Sequence, residues 1–324
     1  MEMYRVYGLA LESNLPFPCL PERQAQDCGT PDVVLRVKHG TLSGSAEPET
    51  DWIPLFERRL SGRPTFGVYQ SAAGVVFRYH GLVEFHVDAA AYQVTCIRHA
   101  GYGDELARRL FLSLVIAFVL SRRGYHNLHA SAVRIGTGAV AFLAPAGGGK
   151  SSLAAHLVCV GHALLTDDVL PIVVGQGSAR VLPGPPQLRL NDDSANRLWS
   201  ASDVPLRRGH VDGKRLVWLP LTDQYYCAEP LPLRALYLLE RSAAGPTGVE
   251  RIGQRKALVS LVSSVYANFL STGPILSTQL SALAGLVSTV PCRLLRVAAG
   301  FDELPSAHAA VVDDLAKTAP VRCG

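Results

Sequence analysis

The stretch that most constrains this chain runs Ala139-Val140-Ala141-Phe142-Leu143-Ala144-Pro145-Ala146-Gly147-Gly148-Gly149-Lys150-Ser151-Ser152. Five small or apolar residues, Ala139 to Leu143, predict a buried strand. A loop of Ala, Pro and three glycines follows, and Ser152-Leu153-Ala154-Ala155-His156-Leu157-Val158 predicts a helix ending near Gly161. Strand, glycine loop, Lys-Ser and helix is the order of a phosphate-binding P-loop. Each part has its own physical reason. Glycines let backbone N–H groups converge on anionic oxygens without Cβ collisions. The helix N-terminus adds partial positive charge. Lys150 can reach the outer phosphates of a nucleotide, and the Ser151 hydroxyl can ligate Mg²⁺. Ala144 stands where the usual G-x-x-x-x-G-K-[ST] pattern has its first glycine, and alanine serves there if its φ is negative.

The rest of the composition narrows the class. At 324 residues the chain has room for one large domain or two ordinary ones, and a hydrophobic fraction of 48% can fill a sizeable core. A net charge of +4, with no basic stripe, predicts no nucleic-acid partner. Seven scattered cysteines without a C-x-x-C pair argue against a disulfide framework or a zinc site and for a reducing, cytoplasmic setting. Met1 to Tyr4 shows no signal-peptide pattern. The longest apolar run, Leu110 to Leu120, is too short to span a bilayer, so no membrane partner is expected.

Three segments are expected: a β-rich N-terminal domain over 1–100, a buried connecting helix within 101–125, and an α/β domain over 126–324. Tyr4–Leu9 and Asp32–Val37 alternate at period two, joined by the extended connector Leu15–Pro21. Leu42–Asp51 is polar and predicts a loop. Gly67–Tyr69, Val75–Tyr79, Val83–Val87 and Tyr92–Cys96 complete an expected small antiparallel sheet. Glu105–Arg123 predicts one helix between Gly-Asp and Gly124, apolar nearly all round and buried between the two halves.

Beyond His126, Leu128–Ile135 and Ala139–Leu143 predict a hairpin around Gly136-Thr137-Gly138. After the P-loop helix, His162–Leu165 predicts a strand that ends in Thr166-Asp167-Asp168. Val169–Val174 and Arg180–Leu182 predict a second hairpin. Pro183–Leu190 reads as extended, Asp192–Trp199 as a short helix and the basic stretch Arg207–Arg215 as a mobile loop. Leu233–Glu240 and Arg293–Val297 predict strands. Lys256–Leu270, Ile275–Val290 and Pro305–Lys317 predict helices.

A P-loop speaks for a nucleotide. Chemistry also needs a carboxylate near the metal and an acceptor for the proton. Asp167 and Asp168 supply carboxylates at the end of a strand, on the edge where ligands collect in α/β sheets. One can hold Mg²⁺ and the other can take a hydroxyl proton as that oxygen attacks the γ-phosphorus.

Three blocks occur in order: His129-Ala130-Ser131-Ala132-Val133, Ala144 to Ser151, and Gly161-His162-Ala163-Leu164-Leu165-Thr166-Asp167-Asp168. This succession resembles the catalytic core of HPr kinase/phosphorylase, with its His-Gly strand, its loop ending Gly-Lys-Ser and its Gly-His-x-Leu-x-x-Asp-Asp stretch. Ala130 replaces the glycine after the histidine. Of the family's Leu-Glu-x-Arg-Gly element, Pro186-Gln187-Leu188-Arg189-Leu190 keeps the arginine as Arg189 and puts Gln187 in place of the glutamate. That puts one metal contact in question and counts against the reverse, phosphorylase, reaction.

Over its whole length the chain is similar to HPr-kinase-related proteins of ribosomal-peptide biosynthesis, lasso peptides in particular. The similarity rests on Tyr4–Leu9, Leu15–Leu20, the Leu-rich helix, Leu128–Val133, Pro186–Leu190 and Asp212-Gly213-Lys214-Arg215. It implies an α/β fold, with a β-rich N-terminal domain ahead of an HPr-kinase-like P-loop domain built on a mixed sheet flanked by helices. It further implies an ATP- and Mg²⁺-dependent kinase that phosphorylates a precursor peptide, typically on a serine at its C-terminal end. By the same resemblance Ala146, Gly147, Gly148, Gly149, Lys150, Ser151 and Ser152 hold the phosphates. Ser151 and Asp168 serve the metal, Asp167 is the general base, and His129 orients it. Arg189 clamps the transferring phosphate, and Lys214 and Arg215 close over the nucleotide. A nucleotide-binding regulator without transfer activity and a small-molecule kinase stay open as alternatives. The oligomeric state stays open too, a homo-oligomer included.

Overall fold

In the computed structural model, residues 1–22, 29–40, 51–99, 101–175, 177–199, 207–211, 214–242, 245–270 and 274–318 are described. The alternating N-terminal stretch folds as a hairpin rather than one strand. β1 (Glu2–Val6) and β2 (Leu9–Ser13) pair antiparallel, with positive φ at Tyr7 and Gly8 making the turn. β3 (Val33–His39), β4 (Ile53–Leu60), β5 (Arg63–Ser71), β6 (Gly74–Tyr79), β7 (Val83–Asp88) and β8 (Gln93–Arg98) complete a sheet of order β1-β2-β3-β8-β7-β6-β5-β4. The sheet is mixed, not antiparallel as expected, because β3 runs parallel to both β2 and β8. Leu15–Pro21 is the reason for the first of these pairings. The Phe17 amide donates to the Tyr4 hydroxyl and the Arg5 amide to the Pro21 carbonyl, so the connector doubles back along β1. β4 escaped the sequence pattern because its side chains are exposed or half-buried throughout. Most of the loop expected over Leu42–Asp51 lies outside the described residues.

The expected Leu-rich helix is continuous but not uniform. α1 (Asp104–Leu110) passes through one π-helical turn, Phe111–Val115, into α2 (Ile116–Arg122). The Ser113 hydroxyl bonds the Leu110 carbonyl inside that turn. Met1–Tyr125 together with Ala267–Gly273 forms one compact unit, and His126–Tyr266 with Pro274–Gly324 forms another.

The second unit begins with β9 (His126–Ile135) and β10 (Gly138–Leu143), the predicted hairpin. α3 (Lys150–Cys159), β11 (Leu164–Thr166), β12 (Val169–Gly175), β13 (Ser178–Val181), β14 (Gln187–Leu190) and α4 (Asp192–Trp199) follow. β15 (Arg207–Val211) and β16 (Lys214–Trp218) pair antiparallel, so the described residues of the basic stretch expected as a mobile loop are paired strands. β16 also pairs with β14, which anchors it. β17 (Leu231–Ser242), β18 (Gly248–Arg251), α5 (Gln254–Ser263), α6 (Pro274–Thr289), β19 (Cys292–Ala298) and α7 (Leu304–Lys317) complete the unit.

The helix expected over Lys256–Leu270 stops after Ser263. Val265 bridges to Leu128, and the Tyr266 amide donates to the Asn127 carbonyl, so the chain leaves its helix to follow β9.

β10 is buried on every residue because it lies between β9 and the parallel β17, with a hydrophobic cluster on each face. Val140 and Phe142 pack with α3 and α7 through Leu153, Leu157, Ala307 and Val311. Ala139, Ala141 and Leu143 pack with α5 and α6 through Leu261, Leu283 and Leu286. Burying each large side chain there contributes about 1.5–3 kcal/mol. The result holds the carboxyl end of β10 rigidly, and the glycine loop springs from it. Among the described residues no helix is long and apolar enough to cross a membrane. Cys19, Cys96, Cys159, Cys227 and Cys292 are free thiols.

Candidate active site

The loop after β10 is shaped by two positive-φ glycines, Gly147 (79°) and Gly149 (93°). Gly148 has a different reason. A Cβ there would meet the Ala144 Cβ at 2.5 Å and the Pro145 carbonyl at 3.0 Å. Ala144 itself does not take a positive φ, so the alanine in place of the motif's first glycine is accommodated. The Gly148 amide donates to the Pro145 carbonyl at 3.0 Å, closing the turn before α3.

Lys150 opens α3 and is only 6% exposed. Its ammonium donates to the Ala144 carbonyl at 2.7 Å and the Pro145 carbonyl at 3.3 Å. Burial lowers its pKa, and the nearby Asp167 and Asp168 carboxylates oppose that shift. One residue on, the Ser151 hydroxyl donates to Asp167 Oδ1 at 2.9 Å.

Asp167 and Asp168 follow β11 and have opposite electrostatics. Asp167 is 3% exposed and accepts from the Ser131 hydroxyl at 2.5 Å, the Ser151 hydroxyl, and the Arg189 backbone amide at 3.0 Å. Burial nevertheless dominates and raises its carboxyl above the ordinary carboxylate value. Burial acts on Asp168 too. There the hydrogen bond from His129, the Arg189 guanidinium and the Tyr266 hydroxyl together outweigh it and hold the carboxyl down to about 2. The distances are 3.2 Å to His129 Nδ1, 2.7 Å to Arg189 Nη1 and 3.2 Å to the Tyr266 oxygen. Asp168 has φ of 81°, a left-handed conformation that aspartate tolerates better than most residues.

Most of these groups line one open cavity. His129, Ala146, Gly147, Gly148, Gly149, Lys150, Ser151, Ser152, Asp167, Asp168, Arg189 and Lys214 line it, with Leu190, Asn191 and Ser194 on the remaining wall. Arg215 is elsewhere: its guanidinium binds Asp192 at 2.6 Å and Asn196 at 2.7 Å on α4. Gln187 also lies outside the lining. The resemblance pairs Ser151 with Asp168 at the metal, whereas in the structure the Ser151 hydroxyl sits on Asp167.

Sequence reasoning missed Ser131, Tyr266, Asn191 and Ser194. Ser131 was within reach, since strand alternation puts it on the same face as His129. Tyr266 carries no local signal and arrives only because the chain leaves α5 to follow β9. Among the described residues no cluster of three or more His, Cys, Asp or Glu could hold a metal. Ser151 and Asp167 offer a hydroxyl and a carboxylate side by side. That set suits a hard cation which takes its other ligands from phosphates and water.

No protein-family model matches this sequence, and no curated protein does. Among solved structures the chain is similar to the HPr(Ser) kinase/phosphatase from Coxiella burnetii, with a TM-score of 0.34 and 14% identity. The match covers 59% of this chain and 91% of that one. At that level of likeness the functional reading has to come from the geometry of the site.

Proposed function

We propose that the protein is a kinase that transfers the γ-phosphate of ATP to a hydroxyl group, with Mg²⁺ bound alongside the nucleotide. The observation that carries this is the convergence of Lys150, Ser151, Asp167, Asp168, His129 and Arg189 on one cavity at the mouth of a glycine loop. The loop amides and Lys150 would bind the outer phosphates, and the Ser151 hydroxyl would meet the metal beside them. A metal bound there would supply charge neutralisation for the phosphate oxygens.

Of the two carboxylates, Asp167 is the better proton acceptor. Its carboxyl is raised, whereas Asp168 is committed to Arg189, His129 and Tyr266. The acceptor oxygen forms a bond to the γ-phosphorus, the bond from that phosphorus to the β–γ bridging oxygen breaks, and ADP leaves. The acceptor's proton passes to Asp167. Asp168 fixes the Arg189 guanidinium at the cavity wall, where it can meet charge on the transferring group.

The acceptor we propose is a serine near the C-terminus of a ribosomally made precursor peptide. This rests on the sequence resemblance described above. Incubating the protein with ATP, Mg²⁺ and a precursor peptide, and weighing the peptide by mass spectrometry, tests it directly. One added phosphate, absent with Asp167→Asn, is the expected result. Tight ATP binding without peptide phosphate would overturn the peptide assignment. Phosphate appearing instead on an amino alcohol or sugar would make this a small-molecule kinase.

A further inference from the structure

We propose that Arg241 is a second phosphate-binding cation of this site, gripping the inner phosphates of a nucleoside di- or triphosphate from outside the glycine loop. The inference rests on the nucleotide reading above and adds to it a residue that no motif contains.

Topology brings Arg241 there. β10 and β17 are parallel neighbours with Leu143 opposite Leu238, so the end of β17 runs on beside the loop that follows β10. Ligands collect at such carboxyl ends of adjacent parallel strands.

The side chain makes the approach close. A Cβ on Gly149 would meet Arg241 Nη2 at 2.7 Å and Nε at 3.3 Å, so the guanidinium lies against the backbone of the residue that caps α3. Gly149 takes a φ of 93°, which favours glycine, and the tip of this arginine lies beside it.

Arg241 is nevertheless exposed and spends little of its hydrogen-bonding capacity. Its guanidinium donates one long bond, 3.4 Å from Nη1 to the Ala298 carbonyl. Among the described residues no carboxylate lies within 4.0 Å of it, unlike Arg189, Arg197 and Arg215, each of which has one. A guanidinium has five N–H donors in a planar fork suited to two phosphate oxygens.

Position decides which phosphates. His129, Asp167, Asp168 and Arg189 line the cavity, and Arg241 does not. A phosphate chain whose outer end faces those carboxylates and which runs along the glycine loop reaches Gly149 at the N-terminus of α3. Its inner phosphates then meet Arg241.

The test is equilibrium binding of ADP and ATP to the full chain, wild type beside Arg241→Ala, Arg241→Gln, Arg241→Lys and Lys150→Ala, with melting temperatures to confirm folding. Arg241→Ala and Arg241→Gln should weaken both nucleotides by the same factor, about tenfold. Arg241→Lys should recover part of it, since lysine keeps the charge and loses the fork. Unchanged binding in folded Arg241 variants, with binding lost in Lys150→Ala, would overturn the role of Arg241 and leave the nucleotide reading standing. A loss confined to ATP would put Arg241 on the γ-phosphate and overturn the inner-phosphate assignment. A wild-type protein that binds neither nucleotide would overturn both readings.

Discussion

The Ser151 hydroxyl donates to Asp167 Oδ1 at 2.9 Å, tying the first turn of α3 to the end of β11. This contact puts the hydroxyl of the glycine loop and a buried carboxylate on the same small volume. Asp167→Asn keeps the shape and an acceptor oxygen while removing the charge and the basicity. It should lower the rate of phosphate transfer by about 10²–10⁴ with nucleotide binding largely retained. Ser151→Ala should instead raise the Mg²⁺ concentration needed for half-maximal rate. Rates read by mass spectrometry across a Mg²⁺ titration separate the two.

The adjacent carboxylates should respond to pH with opposite signs. Asp167 is raised, so the folded state holds its proton more tightly than the unfolded chain does. Its contribution therefore falls as pH rises through the range between the ordinary carboxylate value and the raised one. Asp167→Asn should melt above wild type at pH 7, with the gap closing in acid. Asp168 is held at about 2 from an ordinary 3.8, so its contribution is complete above the ordinary value and is lost as pH falls toward 2. Asp168→Asn should melt below wild type at pH 7, by on the order of 2 kcal/mol in stability, and converge with it as pH falls. Thermal melts at pH 7, 5 and 3 check both signs, and two shifts in the same direction would contradict this account.

Gly148→Ala places two Cβ atoms 2.5 Å apart, one of them on Ala144. Overpacking of this kind costs about 1–3 kcal/mol, and here it should also distort the phosphate cradle. Ala144→Gly removes the other half of the collision. The double variant Ala144→Gly/Gly148→Ala should therefore recover most of the lost melting temperature. Additive losses in a double-mutant cycle would show that the strain comes from the Pro145 carbonyl instead.

Arg215 holds the start of β16 to α4 through Asp192 and Asn196, while its neighbour Lys214 lines the cavity. The ion pair is partly exposed, so Arg215→Ala should cost under about 1 kcal/mol of stability. Its effect should fall on the placement of Lys214. The expected kinetic signature is a several-fold rise in KM for ATP with kcat nearly unchanged, measured in the same transfer assay. An equal fall in kcat would mean that Arg215 acts on the transition state.

Much of the local structure was legible because its cause is local. The β9–β10 hairpin follows from apolar strands around Gly-Thr-Gly, and α3 from a glycine loop ahead of an apolar run. Where the pattern misled, its local cue was missing or was overruled from elsewhere in the fold. β4 has no buried face to impose period two. The end of α5 is settled by backbone bonds to Asn127 and Leu128, far away in sequence. The basic stretch over Arg207–Arg215 looked like a loop for a similar reason, since β16 owes its place to β14.

For the site, residue type and order were enough to name most of the residues that meet. The glycine loop before Lys150-Ser151 and the strand ending Asp167-Asp168 do line one cavity. The division of labour was not contained in that order. Hydrogen bonds across the fold decide that Asp167 sits on Ser151 and Asp168 on Arg189, His129 and Tyr266. Only the packing of β17 beside β10 lays Arg241 against Gly149. Those contacts join residues that are far apart in the chain, and their pKa consequences depend on burial, which no short stretch of sequence fixes.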